Sequence, residues 1–115
     1  MPKVYETSEN ASKDFLLTRY YKANAKRILD FLRDYYKKNN VRIVNYNEEY
    51  MELSIATEMY DMTIRPFQFS VSETAVDMFI DSRYLFDFGK TKKIINEFYD
   101  MLAKNFPFIG LALGK

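Results

Sequence analysis

The chain of 115 residues has no cysteine, no histidine and no tryptophan, and only three glycines and three prolines. Without cysteine there is no disulfide framework, no zinc thiolate site and no thiol nucleophile. Without histidine the commonest acid/base group near neutral pH is missing too, which excludes Ser-His-Asp, Cys-His and zinc-hydrolase designs. The glycines, at 89, 110 and 114, match neither G-x-G-x-x-G nor a P-loop, so nucleotide binding by those routes is excluded. No long hydrophobic run exists: the longest late one, Pro107 to Gly114, is far short of a membrane span, and the N-terminus is polar. A soluble, cytoplasmic protein without a membrane partner is expected.

Carboxylates are the chemistry that remains. Asp77 and Asp81 share one face of an expected strand, and Glu52 or Asp61 can lie opposite on a neighbour, an arrangement able to hold Mg²⁺ or Ca²⁺. No D-x-D-x-D-G loop supports a metal, and a solvated sheet face accounts for the same residues. The expectation is therefore no catalytic residue, no metal, no cofactor and no enzyme.

What is present is aromatic: ten tyrosines and ten phenylalanines, within 48% hydrophobic and 29% charged residues. That composition belongs to an ordered globular chain, and the length suits a single domain over 1–115. The net charge of +1 conceals segregation. Residues 13–38 hold eight basic and three acidic side chains, residues 39–88 three basic and nine acidic, and residues 89–115 five basic and two acidic. Basic ends flank an acidic middle.

Residues 1–11 read as an arm, with Val4 and Tyr5 in a short strand. Ser12 is a candidate helix cap, but Phe15 and Leu16 are out of phase with the apolar residues beyond Thr18, so a break or separate turn is expected over Phe15 to Thr18. From Arg19 to Lys38 the apolar residues Tyr21, Ala25, Ile28, Leu29, Leu32, Tyr35 and Tyr36 recur with helical spacing. Lys37 and Lys38 complement the negative end of that helix, and Asn39 or Asn40 can adopt the left-handed conformation that ends it. At Val41 the period changes to two, giving a hairpin of Val41 to Val44 and Met51 to Ala56 across a turn at Tyr46 to Glu49. A third strand begins at Met62, and its apolar phase slips at Pro66 to Phe67, Phe69 and Val71, which predicts a bulge on an edge-accessible strand. Val76 to Ile80 make a fourth strand. Helical spacing returns over Gly89 to Asn105, Pro107 closes it, and the apolar tail is expected to pack back. The fold class is α+β in two layers: helix, antiparallel meander of about four strands, helix, with both helices on one sheet face.

This arrangement gives two charged surfaces. On the first helix Arg19, Lys22, Lys26, Arg33 and Lys37 fall on one ribbon that could track a phosphate backbone, with Tyr20 or Tyr35 available for stacking. Lys90, Lys92 and Lys93 open the last helix against its dipole, where natural sequences tend to break rules only for function. The Gly89-Lys90-Thr91-Lys92-Lys93 segment and the helix, strands, helix order resemble double-stranded RNA-binding domains over five residues and a generic topology. The last helix lacks their alanine-rich face and the first two strands lack their proline- and histidine-bearing loop, so that family is not assigned. On the sheet side Glu48, Glu49, Tyr50, Glu52, Glu58, Asp61, Asp77, Phe79 and Asp81 form an acidic surface suited to a basic protein partner. The leading expectation is a small non-enzymatic binding or regulatory protein acting through that surface. Nucleic-acid binding through Arg19, Lys22, Lys26, Arg33, Lys90, Lys92 and Lys93 is the alternative, and a carrier with an aromatic and Met-lined cavity is a second one. The opposite charges also permit a homodimer, joined basic side to acidic side or through the Pro66 edge.

Overall fold

The computed structural model describes residues 3–112. In chain order the elements are strand β1 (Lys3–Glu6), a 3₁₀ turn (Asp14–Leu16), β2 (Arg19–Tyr21), helix α1 (Ala25–Lys38), β3 (Arg42–Asn47), β4 (Glu52–Ala56), β5 (Tyr60–Gln68), β6 (Thr74–Ser82), helix α2 (Lys90–Asn105) and β7 (Phe108–Leu111). The strands pair antiparallel in one sheet of seven, in the order β3-β4-β5-β6-β2-β7, with β1 also against β6. Both helices pack on the sheet, so the two-layer α+β architecture stands and the meander is β3 to β6. Seven strands replace about four because β1, β2 and β7 join it.

Strands β1 and β2 lie end to end along the same side of β6. Lys3 to Glu6 run against Ser82 to Phe79, and Arg19 to Tyr21 against Val76 to Thr74. The intervening loop leaves the sheet and returns, closed by Ser8 N–H donating to the Leu16 carbonyl and Thr18 N–H to the Ser8 carbonyl. At the gap, the Asp77 carboxylate Oδ1 accepts from Thr7 Oγ1 at 2.7 Å and from Thr18 Oγ1 at 2.6 Å. Both threonines are buried, and Asp77 holds the interrupted strand in register.

The first helix begins at Ala25, six residues later than its spacing suggests. Asn24 caps it, its side chain accepting from the N–H groups of Lys26 and Arg27. Arg19-Tyr20-Tyr21 are instead a strand, as their β-favouring side chains allow, and Tyr21 keeps its core position because four-residue spacing coincides there with an inward strand site. At the other end Asn40 has φ 58°, the expected left-handed stop.

Pro66 does not cause a slip. Met62, Ile64 and Pro66 are all buried, and β5 meets β6 without a register shift from Tyr60↔Ser82 to Gln68↔Thr74. Pairing with β4 stops at Ile64, so the missing Pro66 N–H faces a side of β5 where β4 has ended. The expected bulge is absent there. A register shift occurs instead at the edge strand β3, between Ile43 and Asn45, with Val44 half in solvent.

Ile28, Leu29 and Leu32 of α1, Leu53, Ile55, Ile64, Val76 and Ile80 of the sheet, and Ile95, Tyr99 and Leu102 of α2 form one core. Each such side chain contributes about 1.5–3 kcal/mol by leaving water. The two fully buried tyrosines satisfy their hydroxyls on backbone: Tyr21 donates to the Tyr99 carbonyl and Tyr99 to that of Val76.

Candidate interaction surface

Because the helices cover the face carrying Ile55, Ile64 and Val76, alternation puts Glu52, Asp61, Thr63, Arg65, Phe67, Ala75, Asp77, Phe79 and Asp81 on the other. This second face has no covering layer among the described residues. Its end near the β5-β6 hairpin is aromatic: Phe67 is 68% and Phe69 46% exposed, and Tyr20, across Ala75 from Phe67, meets the Phe69 ring edge-on at 5.3 Å. Val71, at the hairpin, is also exposed. Tyr50, from the turn between β3 and β4, overhangs a groove of about 340 Å³ lined also by Met51, Thr63, Phe67, Asp77 and Phe79. The Tyr20 hydroxyl donates to Glu9, and that bond, more than burial, pushes it up to about 12.

The residues of the acidic surface read from the sequence divide into three groups. Glu52, Asp61, Asp77, Phe79 and Asp81 share the helix-free face. Arg65 pairs with Glu52 at 3.1 Å and Arg83 with Asp61 at 3.1 Å, which relieves the like charges that stand opposite at Asp61 and Asp81. Tyr50 forms the rim. Glu48, Glu49 and Glu58 lie in exposed turns outside the face, and Glu48 reaches Lys26 at 3.4 Å. Among the described residues no three carboxylates stand close enough to hold a metal.

The basic ribbon does not form. Arg19 and Lys22 precede α1, so they cannot lie on its edge. Lys26 pairs with Asp30 at 2.8 Å, and Arg33 with Asp34 at 3.1 Å and Asp30 at 3.6 Å. Hydrogen bonds from Lys26, then from Tyr46, hold Asp30 below the usual carboxylate range, while burial, then the bonds to Asp30 and Glu48, push Tyr46 up to about 12. The start of α2 is likewise occupied. The Asp87 carboxylate accepts from Thr91 N–H at 3.2 Å and from Thr91 Oγ1, so a side chain of the chain itself sits where a phosphate would meet the helix dipole. Lys90 lies over the Tyr84 ring at 4.8 Å, and Lys93 is exposed. Of the seven cations, Arg19 and Lys92 share a cleft.

Tyr35 stacks on Phe31 and is not free for a base. A second aromatic and Met-lined hollow, between Tyr36, Tyr60, Met62, Phe98 and Met101, measures about 160 Å³, below the usual size of a ligand pocket. Sequence reasoning missed Phe67, Phe69 and Val71 as surface residues. The signal was available in the unbroken even-numbered alternation of Met62, Ile64 and Pro66, which turns Phe67 outward. A second exposed apolar group, Leu85, Phe86 and Phe88, precedes α2, with Phe88 at φ 49°. No helix of the described residues is long and apolar enough to cross a membrane. Comparison with protein-family models, with curated proteins and with solved structures finds no match.

Proposed function

We propose that this chain is a non-enzymatic interaction protein that docks a protein partner on the helix-free face of its sheet. One observation carries the reading: Tyr50 and Phe67 stand in solvent around a groove, with Phe69 exposed beyond it, while acidic side chains continue the same face. Exposed aromatic groups beside a groove are the usual anchors of a binding surface, because each repays about 1.5–3 kcal/mol when covered. The acidic surroundings favour a partner segment that offers apolar side chains to the groove and lysine or arginine to Glu6, Asp77 and Asp81.

The double variant Phe67→Glu with Phe69→Glu tests this, because both residues are exposed and the fold should tolerate the change. Captured partner, quantified against the unaltered chain, is expected to fall at least tenfold with the melting temperature unchanged, whereas Lys37→Glu on the far side leaves capture intact. Equal capture by all three proteins would overturn the reading. A second copy of the chain is one partner this surface admits, and light scattering on the same proteins would identify it.

A further inference from the structure

A cleft wider than that groove lies away from that face, between the β1-β2 loop, β2 and α2. It measures about 800 Å³ and is lined by Ser12, Lys13, Asp14, Phe15, Arg19, Lys92, Asn96 and Leu111. Its floor is Arg19. Register places Arg19 opposite Val76, on the face that the helices cover, so a guanidinium projects into a layer otherwise made of core side chains. There it stacks on the Tyr99 ring at 4.5 Å and donates from Nη2 to Asn96 Oδ1 at 3.2 Å. Among the described residues no carboxylate pairs with it, and its buried Nε finds no acceptor.

The other arginines make the contrast. Arg33, Arg65 and Arg83 each have an acid within 3.1 Å, while Arg27 and Arg42 are exposed to water. Arg19 is half-buried, with no acid beside it and its Nε shut off from water. A cation withdrawn from water without a counter-ion is costly, and the cost is removed when an anion arrives. The rest of the lining suits one. Lys92, lying over the Phe15 ring at 5.4 Å, and Lys13 add two positive charges, and Asp14 subtracts one. Asn96 turns its oxygen to Arg19, which leaves its amide N–H groups as donors, and Ser12 adds a hydroxyl.

We infer that this cleft binds a small phosphate monoester, with Arg19 and Lys92 on the phosphoryl oxygens and Phe15 and Leu111 against the organic part. A net lining charge of +2 balances a group that carries about −1.5 to −2 at neutral pH. A tetrahedral dianion also uses several donors at once, where a carboxylate would leave some unpaired. The cleft is open to solvent and wide enough for a small ligand. This inference is independent of the docking face.

The test is a titration of the full chain by nitrogen-proton NMR, following the Arg19 Nε–H and Asn96 side-chain amide signals. The probes are inorganic phosphate, glucose 6-phosphate, adenosine monophosphate and, as the control anion, sulfate. Both signals are expected to move with at least one organic phosphate and less with sulfate. Lys92→Gln, at an exposed position that leaves the fold intact, should weaken binding about tenfold, the usual effect of losing one charge-assisted hydrogen bond. Asp14→Asn should tighten it, so the two variants shift affinity in opposite directions. Signals that stay still with every phosphate, a sulfate response as large as any organic phosphate's, or an affinity indifferent to both variants would each overturn the inference.

Discussion

Replacing Asp77 tests how the interrupted strand is held. Its carboxylate accepts two hydroxyl hydrogen bonds, from Thr7 and Thr18, and both donors are buried. A hydrogen bond to a charged group contributes about 1.5–3 kcal/mol. In Asp77→Ala the Thr7 hydroxyl still accepts from Met78 N–H, but Thr18 Oγ1 has no other partner among the described residues. Allowing for water that reaches the half-buried site, the loss is about 2–4 kcal/mol, a large part of the roughly 10 kcal/mol expected of a domain this size. Asp77→Asn keeps the acceptor without its charge and should cost about 1–2 kcal/mol. Thr18→Val alone should cost about 1 kcal/mol, and combined with Asp77→Ala it should be less than additive, because the stranded hydroxyl is then gone. Urea unfolding measures all four proteins, with unchanged slopes expected. Hydrogen exchange should quicken at the Ser8 and Thr18 amides while β6 keeps its protection. If Asp77→Ala and Asp77→Asn both unfold within about 0.5 kcal/mol of the parent, the two threonine bonds do not hold the loop and the reasoning fails.

Three other outcomes rest on local chemistry. Asn24→Ala removes the side-chain acceptor for two N–H groups of α1 and should lower stability by about 1 kcal/mol in urea, whereas a helix starting at Arg19 would be indifferent to it. Folded-state tyrosine ionisation is held above the ordinary value of 10.0, by the Glu9 bond at Tyr20 and by burial at Tyr46, both to about 12, and by burial to still higher values at Tyr21, Tyr36 and Tyr99. The unfolded chain therefore loses those protons first, so stability is full below pH 10 and falls as pH rises toward 12; urea midpoints that stay flat across that range would contradict it. Phe88→Gly should raise the melting temperature, since Phe88 holds a left-handed conformation costing about 1 kcal/mol while its ring stays largely in solvent; an unchanged or lower value would show that the ring contributes packing.

Much of the architecture was legible in the sequence because period and burial agree. The alternation in β4, the helical spacing in α2 and the Asn40 stop needed only local rules. Of the three short strands, β1 was legible only as a strand at Val4 and Tyr5 without its partner, and β2 and β7 were not legible at all. β1, β2 and β7 have three or four residues each, too few to show a period; β1 and β2 exist because β6 offers a partner far away in sequence, and β7 because β2 does. That long-range pairing also explains the late start of α1: Leu17, Tyr21 and Ala25 are all buried, and equal spacing hides that the first lies in a loop and the second on a strand. The basic ribbon failed with it, since a wheel can place charges on one edge only while the residues are on one helix. The acidic face fared otherwise, because strand alternation alone puts Glu52, Asp61, Asp77 and Asp81 together. The cleft at Arg19 could not be read, as its lining comes from a loop, a strand, a helix and a tail strand.

The central claim, that the helix-free sheet face is the docking surface, is tested most directly by photo-crosslinking from single positions in the cell that makes the protein. With a benzoylphenylalanine in place of Phe67, one discrete protein adduct is expected, lost when Tyr50→Glu is added, and no such adduct from the same group at Lys37. No adduct from position 67, or the same adduct from both positions, would contradict the assignment.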